Sequence, residues 1–350
     1  HLLVSLLRET KARIVCHVRA RDQATAWTRL EQSLRQRKLS DAWDTDRIEV
    51  LRGDLAAPNL GLDAAGVRVV RDECDAIYHC GAQVDFLHSY HHLKPANVDS
   101  VLTLLDWTAN GAPKRFHLVS TLGIIDPSYG SVTITEQAAL EAWKGLIGGY
   151  SQSKWVADTL ARRAQDAGLP VVIYRLGSVT GDHSHAICNE TDLIWRITRT
   201  CAELQAIPDL DLALNMTPVD DVALGIVRLG SSDQSRGQIY HLLARRSLSL
   251  RNLVAVFTRL GLPLAAISVE VWLGLARARL AKHHDDSLAA VVAILSKHDP
   301  EATRPAITFE LTTAHLEAVG TRIRPVTTNL LERYLGVLGI RQTVEPATAK

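Results

Sequence analysis

Short apolar runs rich in β-branched and aromatic residues alternate with helical patterns along this chain, and that alternation limits the folds it can adopt. Helical spacing of apolar residues fills most of the intervals between the runs, as at residues 23–37 and 150–165. Strands separated by helices form βαβ units, and nearly continuous apolar strands are typical of parallel sheets covered on both faces. The sequence therefore predicts an α/β fold with a doubly wound parallel sheet. The predicted strands are residues 13–18, 47–51, 75–80, 115–120, 171–175 and 238–243.

The pattern becomes mostly helical after about residue 182, which indicates a second, smaller lobe. We expect residues 1–182 to form the sheet domain and residues 183–345 a mainly helical C-terminal lobe, with the strand near residues 238–243 returning to the sheet. The chain begins with His1, and the apolar spacing of its first residues is typical of the back half of an amphipathic helix. We therefore expect a fragment that starts inside its first helix.

Charge and composition exclude several classes of function. The formal net charge is +1 at pH 7, so no basic excess indicates nucleic acid binding. No apolar run is long enough to span a membrane, because charges interrupt the nearest one at residues 260–280. The five cysteines are odd in number and irregularly spaced, so we expect a reducing, cytoplasmic compartment without a disulfide framework. His183, His185 and Cys188 lack a fourth ligand, and we expect no metal site.

Tyr150 and Lys154 lie four residues apart within a stretch of helical spacing. This spacing places both side chains on one helix face, with their Cβ atoms about 5–6 Å apart. A nearby ammonium favours the phenolate and lowers the pKa of a tyrosine from its ordinary value of about 10. Such a tyrosine can pass a proton to a carbonyl oxygen. The pair alone is a weak signal, because ordinary surface helices also carry it.

Small or polar residues follow the ends of several predicted strands. In open parallel sheets, ligands bind beyond the carboxyl ends of the strands, which share one edge. The sequence therefore predicts a dinucleotide cleft at this edge, independently of the tyrosine–lysine pair. The residues concerned are Asp54, Gly81, Ala82, Thr121, Gly177 and Ser178.

Short motifs follow one another in a specific order over nearly the whole chain. They are Val18-Arg19-Ala20, Gly53-Asp54-Leu55, His79-Cys80-Gly81-Ala82, Ala96-Asn97-Val98, Val119-Ser120-Thr121, Gly149-Tyr150-Ser151-Gln152-Ser153-Lys154-Trp155, Tyr174-Arg175-Leu176-Gly177 and Thr217-Pro218-Val219-Asp220. The ordered set resembles the extended short-chain dehydrogenase/reductases. More narrowly, it resembles the thioester reductase domains of nonribosomal peptide synthetases, polyketide synthases and carboxylic acid reductases.

The resemblance implies a Rossmann-like fold whose first strand and Gly-rich phosphate loop would precede His1, since no such loop occurs in the sequence. Without that segment, we expect the chain to fold poorly or to bind NADPH weakly. The resemblance also implies a catalytic triad of Thr121, Tyr150 and Lys154. Tyr150 would protonate the developing oxyanion and Thr121 would hydrogen-bond it, while Lys154 would lower the tyrosine pKa and hold the nicotinamide ribose. Ser120, next to Thr121, is an alternative for its role.

The cofactor implied by the resemblance is NADPH. Arg19 follows the strand after which NAD-dependent Rossmann units carry an acidic residue, and a guanidinium suits the 2′-phosphate of NADPH. Arg29 would supply a second phosphate contact, with Arg21 as a competitor for that role. Other implied contacts lie at the adenine, the phosphates, the ribose and the nicotinamide. They are Asp54, Leu55, Cys80, Gly81, Ala82, Asn97, Tyr150, Lys154, Gly177 and Ser178.

The resemblance implies an activity as well. The expected reaction is NADPH-dependent reduction of an acyl or peptidyl thioester to an aldehyde, continued by some relatives to the alcohol. The expected partner is the phosphopantetheine-bearing carrier domain that holds the thioester, in the same polypeptide. Two alternatives remain. One is another extended short-chain enzyme acting on a free carbonyl, an acyl-CoA or a sugar nucleotide, and the other is a non-catalytic relative that senses NADP or serves as a scaffold.

Overall fold

The computed structural model describes residues 1–42, 44–210, 213–246, 248–282, 286–296 and 304–340 of the chain. The chain divides into two compact units. The first unit consists of His1–Gly177, Val219–Leu243 and Ala302–Ile323, and the second consists of Ser178–Pro218, Ala244–Glu301 and Arg324–Lys350.

Strands and helices alternate through most of the chain. The strands are β1 Ile14–Arg19, β2 Ile48–Gly53, β3 Ala76–His79, β4 Arg115–Thr121, β5 Thr133–Ile134, β6 Val171–Leu176, β7 Ser178–Thr180, β8 Ala206–Pro208, β9 Met216–Pro218, β10 Ile239–Leu242, β11 Ala265–Ile267 and β12 Ala306–Ile307. The α-helices are α1 Leu2–Glu9, α2 Gln23–Gln36, α3 Ala64–Arg68, α4 Tyr90–Lys94, α5 Ser100–Asn110, α6 Gly148–Asp166, α7 Leu193–Leu204, α8 Val219–Ser231, α9 Leu250–Arg259, α10 Val269–Lys282, α11 Asp286–Leu295, α12 Glu310–Ala318 and α13 Thr328–Val337.

The first unit is built on parallel strands. Four of them pair in the order β10-β6-β4-β3, and β1 pairs with β2 in a separate two-stranded sheet. Along the β4–β6 pair, Phe116 lies opposite Val171 and Thr121 lies opposite Leu176. Parallel strands joined through helices confirm the α/β class predicted from the alternating pattern.

Helices cover both faces of the four-stranded sheet. On one face, Phe116 and Ile173 pack in an apolar cluster with residues of α5 and α6. On the other face, Arg115 donates from Nη1 to the Gly230 carbonyl oxygen of α8 at 2.9 Å. Residues 171–175 of β6 are all buried as a result, which explains the continuous apolar run in the sequence.

The helix α6 buries one side along its length. Near its start the buried residues are Ser153, Lys154 and Asp158, whereas Ala157 and Ala161 pack into the apolar cluster under the sheet. The helix therefore presents polar side chains to the end of β4 and small apolar side chains to the apolar cluster.

The second unit is mainly helical and has its own core, in which Trp195, Trp272 and Tyr334 are buried. The sequence-based division placed a single boundary at residue 182 and returned only one later strand to the sheet domain. In the structure α8 and α12 also belong to the first unit, because α8 covers the sheet and Thr312 of α12 accepts a hydrogen bond from the His241 N–H at 2.9 Å. Among the described helices, none has both the length and the apolar character needed to cross a bilayer.

Candidate active site

The first turn of α6 lies against the segment that leads into α4. At Gly149 an added Cβ would stand 2.4 Å from the Ser89 carbonyl carbon and from the Tyr90 nitrogen, so a side chain would prevent this approach. The next residue, Tyr150, meets Phe86 edge-on, with ring centroids 5.6 Å apart and an interplanar angle of 69°. These contacts fix the tyrosine, partly buried, at the start of the helix.

Lys154 lies one helical turn beyond Tyr150 and is 5% exposed. Its Nζ donates a hydrogen bond to the Val119 carbonyl oxygen at 2.8 Å. Burial lowers the pKa of Lys154 from 10.5 to about 8, and the Asp158 carboxylate opposes that shift. The lysine is therefore mostly cationic at neutral pH, one helical turn from Tyr150.

Thr121 and Ser120, the two residues proposed for one role, point to opposite sides of β4. Thr121 Oγ1 accepts a hydrogen bond from the Gly123 N–H at 3.1 Å. A Cβ added to Gly123 would lie 3.4 Å from Thr121 Oγ1 and 3.8 Å from Ser151 Oγ, which brings the end of β4 close to the first turn of α6. The Ser120 hydroxyl donates instead to Asp158 Oδ2 at 2.7 Å in the buried interior. The geometry favours Thr121 for the role at the tyrosine.

Asn97 ties the active helix to the segment that follows β3. Its Oδ1 accepts from the Gln83 N–H at 2.7 Å, and its Nδ2 donates to the Gln83 carbonyl oxygen and to Ser153 Oγ, both at 3.0 Å. Ser153 Oγ in turn donates to the Tyr150 carbonyl oxygen at 2.8 Å. The buried amide thus supports the helix turn that carries both Tyr150 and Lys154.

The segments that follow β2 and β3 contact each other, although the two strands belong to different sheets. A Cβ added to Gly81 would lie 2.6 Å from Leu55 Cδ1, so the two predicted cofactor residues are in close contact. Asp54 Oδ1 accepts from the Ala56 N–H at 2.9 Å, which fixes its carboxylate after β2. Cys80 is exposed. Gly81 and Ala82 have little or no side chain beside Leu55, so a dinucleotide could approach the backbone closely here.

Four arginines gather near the carboxyl ends of β1 and β2. Arg29 Nη1 donates to the Arg19 carbonyl oxygen at 2.7 Å, so the two predicted phosphate-binding residues are brought together, and both side chains are exposed. The competitor Arg21 pairs with Asp22 at 3.1 Å. Arg52, which the sequence analysis did not select, donates to the Arg21 carbonyl oxygen at 3.4 Å.

Gly177 and Ser178, the last two residues predicted to bind the cofactor, belong to different units. Gly177 ends the first segment of the first unit just after β6, whereas Ser178 opens β7 in the second unit. The Ser178 N–H donates to the Asn215 carbonyl oxygen at 3.1 Å within that second unit.

Sequence reasoning missed a buried ion pair beneath the site. Asp158 and Arg175 are 2% and 0% exposed, and they form two hydrogen bonds, from Nη2 to Oδ1 at 2.7 Å and from Nε to Oδ2 at 3.1 Å. A signal was present, because Asp158 continues the four-residue series of Tyr150 and Lys154 on one face of α6. The ring of Phe86 beside Tyr150 was also missed.

Comparisons with known proteins identify the family of the chain. An NAD-binding family model described as "Male sterility protein" matches residues 1–226. The chain is 36% identical over 274 residues to a linear gramicidin synthase subunit of Brevibacillus parabrevis, an alignment that covers 78% of this chain and 5% of that protein. It is 39% identical over 231 residues to isonitrile lipopeptide synthase of Streptomyces coeruleorubidus, covering 65% of this chain and 16% of that protein. The chain thus spans a small part of these curated relatives.

Among solved structures, the fold matches the terminal R domain from the myxalamid PKS-NRPS biosynthetic pathway. The TM-score is 0.88 at 32% identity, and the match covers 97% of this chain and 88% of that one.

Proposed function

The chain belongs to the NAD-binding family described as male sterility protein, and from that premise we propose that it reduces a carrier-bound acyl or peptidyl thioester to an aldehyde with NADPH. The observation that carries the proposal is the Tyr150–Lys154 pair on α6, with Lys154 bound to Val119 and Thr121 at the end of the same strand. A phenol, a hydroxyl and a buried ammonium at the ligand-binding edge of a parallel sheet suit proton delivery to a carbonyl oxygen. Thr121, Tyr150 and Lys154 are therefore the proposed catalytic residues.

The proposed step assigns each residue one task. When bound, NADPH would supply a hydride for the thioester carbonyl carbon. Tyr150 donates its phenolic proton to the carbonyl oxygen as negative charge develops there, and Thr121 donates a hydrogen bond to the same atom. Lys154 stabilises the phenolate that remains. The product is a thiohemiacetal, which breaks its C–S bond to give an aldehyde and a free thiol, so one hydride and one proton are consumed.

The residues at the sheet edge fit a nicotinamide dinucleotide, and their charges support NADPH over NADH. Arg19 and Arg29 are exposed and adjacent, as a 2′-phosphate would require. Asp54 and Leu55 would lie at the adenine, and Gly81 leaves room for the phosphates. The remaining proposed contacts within the first unit are Cys80, Ala82, Asn97, Tyr150, Lys154 and Gly177.

An apolar surface beside Tyr150 supports an acyl substrate. Val84, Leu87 and Ile147 are 60%, 51% and 38% exposed. They lie around Phe86. Gly148, which follows Ile147 in the chain, is close to this residue, because a Cβ added to Gly148 would be 3.7 Å from the Phe86 carbonyl oxygen. We call these four side chains, Val84, Phe86, Leu87 and Ile147, the apolar rim. An exposed apolar patch next to a reactive group is typical of a binding surface.

The charged groups of this segment are engaged with one another. Asp85 Oδ1 accepts from the Leu87 N–H at 2.8 Å and the His88 N–H at 2.9 Å, and its Oδ2 pairs with His88 Nδ1 at 2.8 Å. The turn therefore presents its apolar side chains outward in a fixed arrangement. The phosphopantetheine arm carries amides, so an alkyl chain is the part of the substrate that suits the apolar rim.

The proposed partner is a phosphopantetheinylated carrier domain. Two of the similar proteins are named as a linear gramicidin synthase subunit and an isonitrile lipopeptide synthase, and this chain matches only a part of each. The proposed compartment is the reducing cytoplasm, which is supported by the five free cysteines in the described part of the chain.

Product analysis tests the proposal. The protein, at its full natural length, is incubated with NADPH and either an acyl-phosphopantetheine thioester, the matching acyl-CoA or the matching free ketone. The proposal expects aldehyde and free thiol from the phosphopantetheine thioester at a kcat/KM at least about tenfold above that for the ketone. Equal turnover of the ketone would favour a general carbonyl reductase. NADPH binding without turnover of any substrate would favour the sensor or scaffold alternative.

A further inference from the structure

Three elements of the first unit converge on the Asp158 carboxylate. Asp158 projects from α6, Ser120 of β4 donates to its Oδ2 at 2.7 Å, and Arg175 of β6 donates to both oxygens at 2.7 and 3.1 Å. Ser120 lies between Val119, which accepts from Lys154, and Thr121. The carboxylate therefore holds the end of β4 against the helix that carries Tyr150 and Lys154.

The other side of Arg175 is also engaged. His241 Nδ1 lies 2.8 Å from the Thr308 carbonyl oxygen, so the histidine carries its proton on Nδ1 and donates it there. Its Nε2 lone pair then faces Arg175 Nη1 at 3.5 Å. The guanidinium is thus fixed between Asp158 and a neutral histidine, and it holds the carboxylate against β6.

Lys154 faces Asp158 and Tyr150 on its own helix, and Cys80 and His79 at the end of β3. Burial lowers the pKa of His79 to about 3, so this histidine is neutral near pH 7. Cys80 is exposed, and its thiol is also neutral near pH 7, because the ordinary pKa of a cysteine is about 8.5. Of these neighbours, Asp158 is the one with a negative charge at that pH. It is the group that opposes the effect of burial on the lysine.

We propose that Asp158 is a positioning residue for the reaction, which keeps Lys154 cationic and holds Thr121 at Tyr150, with Ser120 and Arg175 as its fixed partners. This inference rests on the proposed function. Buried ion pairs often contribute little to stability when compared with apolar replacements, because desolvation offsets their attraction. A charge in the interior one turn below Lys154 is better explained by its effect on the lysine than by a contribution to folding.

The test measures the ionisation of Lys154 without turnover. Trace acetic anhydride acetylates only the neutral amine, and mass spectrometry of the Lys154 peptide across pH 6–11 gives its titration curve. The variants are Asp158→Asn and the double variant Asp158→Asn/Arg175→Gln, in which no buried guanidinium is left unpaired. Ser120→Ala, which removes one hydrogen bond and no charge, is the matched control. Circular dichroism and thermal melting identify the variants that are folded.

We expect the Lys154 pKa to fall by about one unit or more in Asp158→Asn, and to fall by less in the double variant, which also removes the positive charge of Arg175. It should stay within about 0.3 units in Ser120→Ala. The basic limb of the pH profile of kcat/KM should move to lower pH by the same amount. An unchanged Lys154 titration in a folded neutral variant would overturn the proposal. Since the labelling needs neither cofactor nor substrate, a shifted titration in a protein without thioester reductase activity would refute the proposed function alone.

Discussion

Lys154 joins the helix α6 to the strand β4 through a hydrogen bond of 2.8 Å between its Nζ and the Val119 carbonyl oxygen. Val119 lies two residues before Thr121 in the same strand, so the bond sets the position of the threonine relative to the helix. The same lysine is one turn from Tyr150. A single buried ammonium therefore organises the geometry of the proposed triad and supplies its charge.

Replacement of that ammonium should abolish most of the activity. We expect Lys154→Met to lower kcat/KM by about 10²–10⁴-fold, because general acid catalysis by Tyr150 loses the charge that tunes it. The measurement is steady-state NADPH oxidation with an acyl-phosphopantetheine thioester. Lys114→Met is the matched control. Lys114, just before β4, is also buried, and its Nζ donates to the carbonyl oxygens of Arg71 and Ala112. A similar loss in both variants would contradict a specific role for Lys154.

The preference for NADPH over NADH should depend on Arg19, at the end of β1, and on Arg29 of α2. We expect Arg19→Ala and Arg29→Ala each to raise the KM for NADPH about tenfold or more, through loss of a charge-assisted contact to the 2′-phosphate, and to leave the KM for NADH nearly unchanged. Arg21→Ala is the control, because Arg21 is already paired with Asp22. A larger effect of Arg21→Ala than of Arg29→Ala would reverse their assignment.

The apolar rim should select for the length of the acyl chain. We expect Leu87→Asp to raise the KM for a long-chain acyl thioester about tenfold and to affect an acetyl thioester little, since each buried methylene is worth about 0.8 kcal/mol. Leu102→Asp, at an exposed leucine of α5 outside the rim, should change neither value. Equal effects of Leu87→Asp on both chain lengths would exclude the rim as the acyl surface.

Acid should destabilise the first unit through three buried histidines. Burial lowers the pKa of His79 and His117 to about 3 and that of His241 to about 4. In the unfolded chain these groups bind protons below pH about 6.5, so stability is complete above that pH and is lost as the pH falls toward the folded pKa values.

The expected slope below pH 6 is about 4 kcal/mol per pH unit, since each histidine contributes about 1.4 kcal/mol. Urea unfolding at pH 7.5, 6 and 5 measures it. His117→Gln should lower the slope by about a third. A slope that does not change in His117→Gln would show that other groups control acid unfolding.

The alternating pattern predicted the parallel sheet because its central strands are buried on both faces, and a buried strand has a continuous apolar run. The two-residue strands β5 and β12 have no such local signal. Thr133 pairs with Ala306, far away along the chain, and only the folded chain brings them together. The family predicted from the ordered motifs is confirmed by the matched family model and by the related R domain structure.

The candidate site was predicted only where its residues follow a local rule. Helical spacing selected Tyr150 and Lys154, and a strand end selected Thr121, whereas the family resemblance implied their catalytic roles. Arg175 lies within an apolar strand, and nothing near it in sequence identifies Asp158 as its partner. The sequence also left Ser120 open beside Thr121. In the folded chain Ser120 donates to Asp158, which is why Thr121 stays the proposed catalytic residue.

The most direct test of the central claim compares Tyr150→Phe with Tyr78→Phe in a single-turnover reaction with NADPH and an acyl-phosphopantetheine thioester. Tyr78 stacks on His117 at 4.3 Å between ring centroids, and its variant removes a phenol of the same kind from the opposite face of the sheet. We predict that wild type and Tyr78→Phe form one aldehyde and one thiol per NADPH oxidised. At saturating NADPH, Tyr150→Phe should react at least about 100-fold more slowly. Aldehyde formation at the wild-type rate in Tyr150→Phe would contradict the account.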